Sequence, residues 1–137
     1  MEKHHQIAII GAGTAGITVA AQLLRKDSKL DVAIIDPASK HYYQPAWTLV
    51  GAGTFDYKDT ERDMAPLIPA GAKWIQEAVT TIDPDGNKLT TDKGNTISYD
   101  YLVVCPGLKY DFDGIEGLAH TINKNDVCSN YTDSEYT

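Results

Sequence analysis

Apolar residues along this chain fall in short, uninterrupted runs set apart by glycine, proline and polar clusters. The first run, Ile7-Ala8-Ile9-Ile10, is β-branched and ends directly on glycines, which predicts a strand buried on both faces. From Thr14 to Lys26 the period changes. Ile17, Ala20, Ala21 and Leu24 recur at helical spacing, and Arg25 and Lys26 close the segment where positive charge suits the helix dipole. Strand character returns over Asp31 to Asp36 and is stopped by Pro37. This βαβ unit, if its strands share one sheet, crosses over right-handed.

Residues 38 to 71 carry little periodicity and contain Pro45, Gly51, Gly53, Pro66 and Pro69, so mostly loop is expected there, with a helical segment over Asp59 to Leu67. Lys73 to Ile82 then reads as a strand-pair element. The cluster Asp83-Pro84-Asp85-Gly86-Asn87 is a turn, and Asp92-Lys93-Gly94-Asn95 is a second one between Lys88–Thr91 and Thr96–Ser98. A small antiparallel meander follows from these. Tyr101 to Cys105 reads as another buried strand, ended by Pro106 and Gly107, and a polar tail is expected from about residue 119.

At 137 residues and 42% hydrophobic content, the chain is expected to form a single domain with its own core. A formal charge of -7, with no stripe of lysine and arginine, argues against nucleic acid as a partner. No apolar run approaches the roughly 20 residues of a membrane helix. Met1 to Gln6 lacks the pattern of a secretion signal, so no membrane anchor and a cytoplasmic location are expected. Cys105 and Cys128 form no CxxC pair, and His4, His5, His41 and His120 have no metal-ligand spacing. No metal is expected.

Candidate chemistry starts at Gly11-Ala12-Gly13-Thr14-Ala15-Gly16, a G-x-G-x-x-G between a strand and a helix. Gly11 permits a tight turn, Gly13 lets the backbone approach a pyrophosphate, and Gly16 lets the helix pack close to the strand. The amides of Thr14 and Ala15, at the positive end of the helix, are candidates to hold the anion. Glycine turns are common, so the motif alone is weak. Its context strengthens it, because Asp36 ends the second strand 20 residues beyond Gly16, where a carboxylate can accept the ribose hydroxyls of an adenosine group. Pro37, next in the chain, joins the candidate cofactor-binding set. The expected fold is α/β: a Rossmann-like FAD/NAD(P)-binding domain with a parallel sheet and a small antiparallel β-meander.

The fingerprint does not choose between NAD and FAD, but the loop and meander inserted before Tyr101 resemble the FAD domain of glutathione-reductase-like flavoproteins. The segment His41-Tyr42-Tyr43-Gln44-Pro45-Ala46-Trp47-Thr48-Leu49-Val50-Gly51-Ala52-Gly53 resembles the H-x-Y-Q-P-x-W-T-L-V-G-x-G stretch of sulfide:quinone oxidoreductases. Cys105-Pro106-Gly107-Leu108, Ile115-Glu116-Gly117-Leu118 and Val127-Cys128-Ser129-Asn130-Tyr131 are similar to further stretches of that family. The resemblance covers essentially the whole chain. It implies an enzyme in which sulfide attacks a disulfide or persulfide, electrons pass through FAD and a quinone is reduced, with peripheral membrane association in full-length members.

Carried onto this sequence, the resemblance implies that Gln44 and Pro45 lie beside the flavin or its ribityl chain. The strand near Ala78 and Val79 would offer backbone groups to adenine, and Pro106 with Gly107 would close over the dinucleotide. Trp47 and Tyr43 are expected to pack. Catalytic residues are unknown, with Cys128 the redox candidate against a reading as an inert thiol, and Cys105 a small buried residue. The family's second Rossmann domain, its two essential cysteines and its membrane-attaching helices have no counterpart, so the chain is expected to be a truncated portion without turnover of its own. A stand-alone module that binds NAD or ADP without catalysis remains the alternative. An incomplete sheet edge is expected to favour a homo-oligomer.

Overall fold

In the computed structural model, which describes residues 2–131, the first strand β1 (Glu2–Ile10) lies between two parallel neighbours. On one side is β2 (Val32–Ile35), reached through the helix α1 (Thr14–Lys26), with Ile7 opposite Val32 and Ile10 opposite Ile35. On the other is β8 (Thr96–Val104), paired with β1 from Glu2 opposite Thr96 to Ile10 opposite Val104. The six-stranded sheet has the order β5-β2-β1-β8-β7-β6, where β5 is Ala72–Ile75, β6 is Val79–Asp83 and β7 is Lys88–Thr91. β5 runs parallel to β2, whereas β7 is antiparallel to both β6 and β8.

Burial on both faces explains the unbroken apolar runs. Ile7, Ile9, Val32 and Ile34 face Ala20 and Leu24 of α1 and Met64, while Ala8, Ile10, Ala33 and Ile35 share the opposite side with Leu89, Ile97 and Tyr99. Only three residues join β5 to β6, although these strands form opposite edges of the sheet. Such a link reaches roughly 10–14 Å. The meander must therefore fold back over the sheet, which is how Leu89 and Ile97 reach Ala33 and Ile35. Glu77 clasps this return: its carboxylate accepts from the hydroxyl of Thr91 and from Asn95 Nδ2 at 2.9 Å. These bonds, Thr91 before Asn95, hold the Glu77 carboxyl below its ordinary pKa.

The described residues fall into two compact units, the first formed by 2–41 with 63–107 and the second by 42–62 with 108–131. The second unit opens with a 3-10 turn at Gln44–Ala46 and α2 (Trp47–Gly51), followed by a 3-10 turn at Tyr57–Thr60. The rings of Tyr42, Trp47 and Tyr57 lie within 6.0 Å of one another, and Trp47 donates Nε1 to the buried Thr60 hydroxyl. Trp47 packs, as expected, whereas Tyr43, also expected to pack, is 54% exposed. β3 (Lys40–Tyr42) and β4 (Glu61–Asp63) form a two-stranded sheet where the chain passes between units.

Several local expectations are corrected. The helix expected over Asp59 to Leu67 is β4 flanked by two 3-10 turns, because Pro66 and Pro69 withhold amides and the strand finds a partner in β3. β1 begins at Glu2, since pairing with β8 extends it through polar residues that periodicity ignores. The strands expected at Thr96–Ser98 and Tyr101–Cys105 are one, β8, which ends at Val104, one residue before Cys105. It is not uniformly buried: Tyr101 is 68% exposed and Val104 54%, because β7 pairs only as far as Ser98. A 3-10 turn at Phe112–Gly114 precedes the region read as a polar tail, and the short helix α3 (Leu118–Thr121) and a bridge between Lys124 and Val127 give that region structure. Residues 132–137 lie outside the described residues.

Candidate functional site

The carboxyl ends of β1, β2 and β8 converge, which is where open α/β sheets place their ligands. Gly11 leaves β1 at φ 98°, and its amide donates to Ile35 O at 2.9 Å. A Cβ at Gly11 would fall on the carbonyl oxygen of Cys105, and one at Gly16 on that of Gly11. Both glycines are thus required by the protein's own packing. Gly13 is different. Its φ of -67° and ψ of -176° suit any residue, and a Cβ there would meet nothing within 4 Å.

Gly13, Thr14 and Ala15 are exposed, whereas Gly11, Ala12 and Gly16 are buried. The helix's first turn leaves its amides without carbonyl partners, since the bond from Ile17 N to Gly13 O is the first along the helix. α1 has 13 residues, no acidic side chain in its first turn and Arg25 and Lys26 in its last. Its amino end accordingly presents a positive potential to the open space before Gly13.

Asp36 follows β2 and reaches back to this loop. Its Oδ2 accepts the Ala12 amide at 2.7 Å and its Oδ1 the Ala38 amide at 2.7 Å. Its backbone is also fixed, with N donating to Ile75 O and O accepting Trp74 Nε1. A carboxylate has about four acceptor positions, so two amides leave room for hydroxyl donors. This bracing role was not foreseen from sequence. Pro37 lies exposed beside it.

On the other flank, Cys105 N donates to Ile10 O at 2.8 Å, which carries the Cys105-Pro106 peptide against Gly11. Pro106 and Gly107 are exposed, and Gly107 turns the chain at φ 81°. His41 Nδ1 lies 3.4 Å from Ala12 O. Its place at the head of the aromatic segment puts this histidine near the candidate site in sequence, without assigning it a role.

Other residues lie elsewhere. Val79 starts β6 and packs against the core cluster that contains Leu89 and Ile97, while the amide and carbonyl of Ala78 both bond Asp92. Gln44 and Pro45 are exposed in the second unit, where Gln44 Nε2 donates to the Tyr110 hydroxyl. Cys128, also in that unit, is a free, exposed thiol, and Cys105 is free and half-buried. Among the described residues, no group of His, Cys, Asp or Glu is placed to hold a metal, and no helix is long and apolar enough to cross a membrane.

At the amino ends of the strands sits a separate ion cluster. His5, 4% exposed, places Nδ1 3.0 Å from Asp31, which also accepts Lys73 Nζ at 2.9 Å. Lys73 first, then His5, holds the Asp31 carboxyl below its ordinary range against the opposing cost of burial.

The family model for pyridine nucleotide-disulphide oxidoreductases matches residues 5–136. The chain belongs to that family. It is 47% identical over 128 residues to the mitochondrial sulfide:quinone oxidoreductase of Dictyostelium discoideum, covering 93% of this chain and 28% of that protein. Against the mouse (Mus musculus) mitochondrial sulfide:quinone oxidoreductase the identity is 38%, over 96% of this chain and 29% of the relative. Among solved structures, the sulfide:quinone oxidoreductase of Aquifex aeolicus superposes with a TM-score of 0.70 at 34% identity, covering 80% of this chain and 25% of that one. The expected resemblance and the Rossmann-like α/β fold are thereby shown. The chain spans less than a third of the length of these relatives.

Proposed function

We propose that this chain is the FAD-binding portion of a flavin-dependent oxidoreductase that resembles sulfide:quinone oxidoreductase. One observation carries the proposal. Gly11 and Gly16 are explained by packing, but Gly13 has neither a conformational nor a steric reason to be glycine. A backbone that must admit a bound group supplies the missing reason.

The residues present fit the adenosine-diphosphate half of FAD. Amides of Gly13, Thr14 and Ala15 would hold the pyrophosphate, and Asp36 would accept the ribose hydroxyls with its remaining lone pairs while disfavouring a 2′-phosphate. Pro37, Pro106 and Gly107 would border the same group, Val79 the adenine, and Gln44 and Pro45 the flavin side. FAD, when bound, supplies two-electron redox chemistry between a sulfide donor and a quinone acceptor. This chain's own part is to bind and orient, and it is proposed to need the remainder of a family enzyme for turnover. Cys128 stays the redox candidate, and self-association through the stretch of β8 beyond Ser98, which β7 leaves unpaired, belongs to the same proposal.

Calorimetric titration of the chain with FAD, NAD and ADP tests this, with Asp36→Ala and Gly13→Val as controls. FAD and ADP binding that each variant weakens at least tenfold supports it. Preference for NAD over FAD would favour the non-catalytic nucleotide module, and no binding of any of the three would overturn the adenosine site.

A further inference from the structure

We infer that His41 is a positioning residue for the dinucleotide loop: it holds the Ala12 carbonyl and thereby sets the direction of the Gly13 amide. The inference rests on the nucleotide-binding proposal and adds to it a residue outside the glycine fingerprint.

Ala12 is completely buried, so both of its backbone groups need partners. Its amide has one in Asp36 at 2.7 Å. Among the described residues no backbone amide bonds its carbonyl, because the helical ladder begins one residue later with Ile17 N to Gly13 O. The partner is His41 Nδ1 at 3.4 Å, a long bond. A carbonyl oxygen only accepts, so Nδ1 must carry the proton. That leaves Nε2 as the ring's acceptor in the neutral tautomer.

The consequence follows from peptide geometry. In a planar trans peptide the carbonyl of Ala12 and the amide N–H of Gly13 point in opposite directions. Fixing one on the imidazole aims the other away from it, at a residue that is exposed and whose added Cβ would meet nothing within 4 Å. Asp36 and His41, from the two ends of the β2–β3 connection, therefore grip Ala12 on its amide and carbonyl sides. His41 touches no ligand itself; it acts through the Gly13 amide.

The test compares wild type, His41→Leu and His41→Asn, whose Nδ2 stands where the imidazole Nδ1 stood. ADP affinity is read by calorimetry and Ala12 amide exchange by NMR in the ligand-free chain. His41→Leu should weaken ADP about five- to tenfold, as loss of one neutral hydrogen bond implies, and speed exchange of the buried Ala12 amide, with His41→Asn restoring most of both. Unchanged affinity and exchange in His41→Leu would overturn the inference while wild-type binding upheld the site. Wild type that binds no ADP refutes the site instead, and the exchange comparison still decides whether His41 holds the loop.

Discussion

The carboxylate of Asp36 bonds the backbone amide of Ala12 at 2.7 Å, so the acid proposed to take the ribose also braces the loop proposed to take the phosphates. Its removal should therefore produce two separable effects. In Asp36→Ala the buried Ala12 amide loses its acceptor, and unfolding free energy should fall by about 1–3 kcal/mol in urea titration. ADP affinity should fall as well. Asp36→Asn keeps one acceptor oxygen but turns an amide donor toward the second backbone N–H, so it should lie between wild type and alanine in both measurements.

The three motif glycines should separate in the same way. Gly13→Ala places its methyl in open space at an ordinary backbone conformation, so thermal unfolding should be nearly unchanged while FAD and ADP binding is lost. Gly11→Ala and Gly16→Ala drive a Cβ onto backbone carbonyl oxygens that cannot swing aside. Gly11 also stands at φ 98°. Each should destabilise by more than about 2 kcal/mol, in keeping with overpacking and backbone strain. A Gly13→Ala variant as unstable as Gly16→Ala would contradict the assignment of Gly13 to ligand rather than to fold.

Legibility followed the physics of each segment. Ile7–Ile10 and Val32–Ile35 were readable because burial on both faces leaves no polar position, and α1 because its apolar stripe keeps one period. Glu2–Gln6 was not, since its strand character comes from pairing with β8 and not from its side chains. The β4 strand was obscured by prolines that suggested loop and helix. At the site, Gly11, Gly16 and Asp36 stood out by spacing, but spacing could not reveal that Asp36 and His41 meet on Ala12. That encounter depends on the path of the β2–β3 connection, which carries no periodic signal.

Acid stability should depend on Asp31. Its pKa in the folded chain is lowered, chiefly by Lys73 and then by His5, relative to an ordinary value of 3.8. A lowered carboxyl contributes stability that is present above the unfolded value and is lost as pH falls through the folded one. Lys73→Met removes the main cause, so its acid-unfolding midpoint should move to higher pH than that of wild type, with little difference near neutrality beyond the modest worth of a half-exposed pair. Circular dichroism across pH 2–6 would check this. Coincident acid transitions would show that Lys73 does not set the Asp31 carboxyl.

Alkaline behaviour carries the opposite sign. Tyr42 is pushed up to about 12 from 10.0, first by burial of its phenol and then by its bond to Glu61, whose Oε2 accepts the hydroxyl at 3.1 Å. A phenol with a raised folded pKa contributes stability fully present below the unfolded value and lost as pH rises from about 10 through about 12. Ultraviolet titration of phenolate, comparing wild type with Tyr42→Phe, should show that the variant lacks one late-ionising group among the eight tyrosines. Tyr42→Phe should also lose the alkaline decline specific to this residue while keeping its ring against Trp47 and Tyr57. If the missing phenol instead titrates near 10, the packing around Tyr42 is looser than the ring distances imply, and Glu61 is not its acceptor.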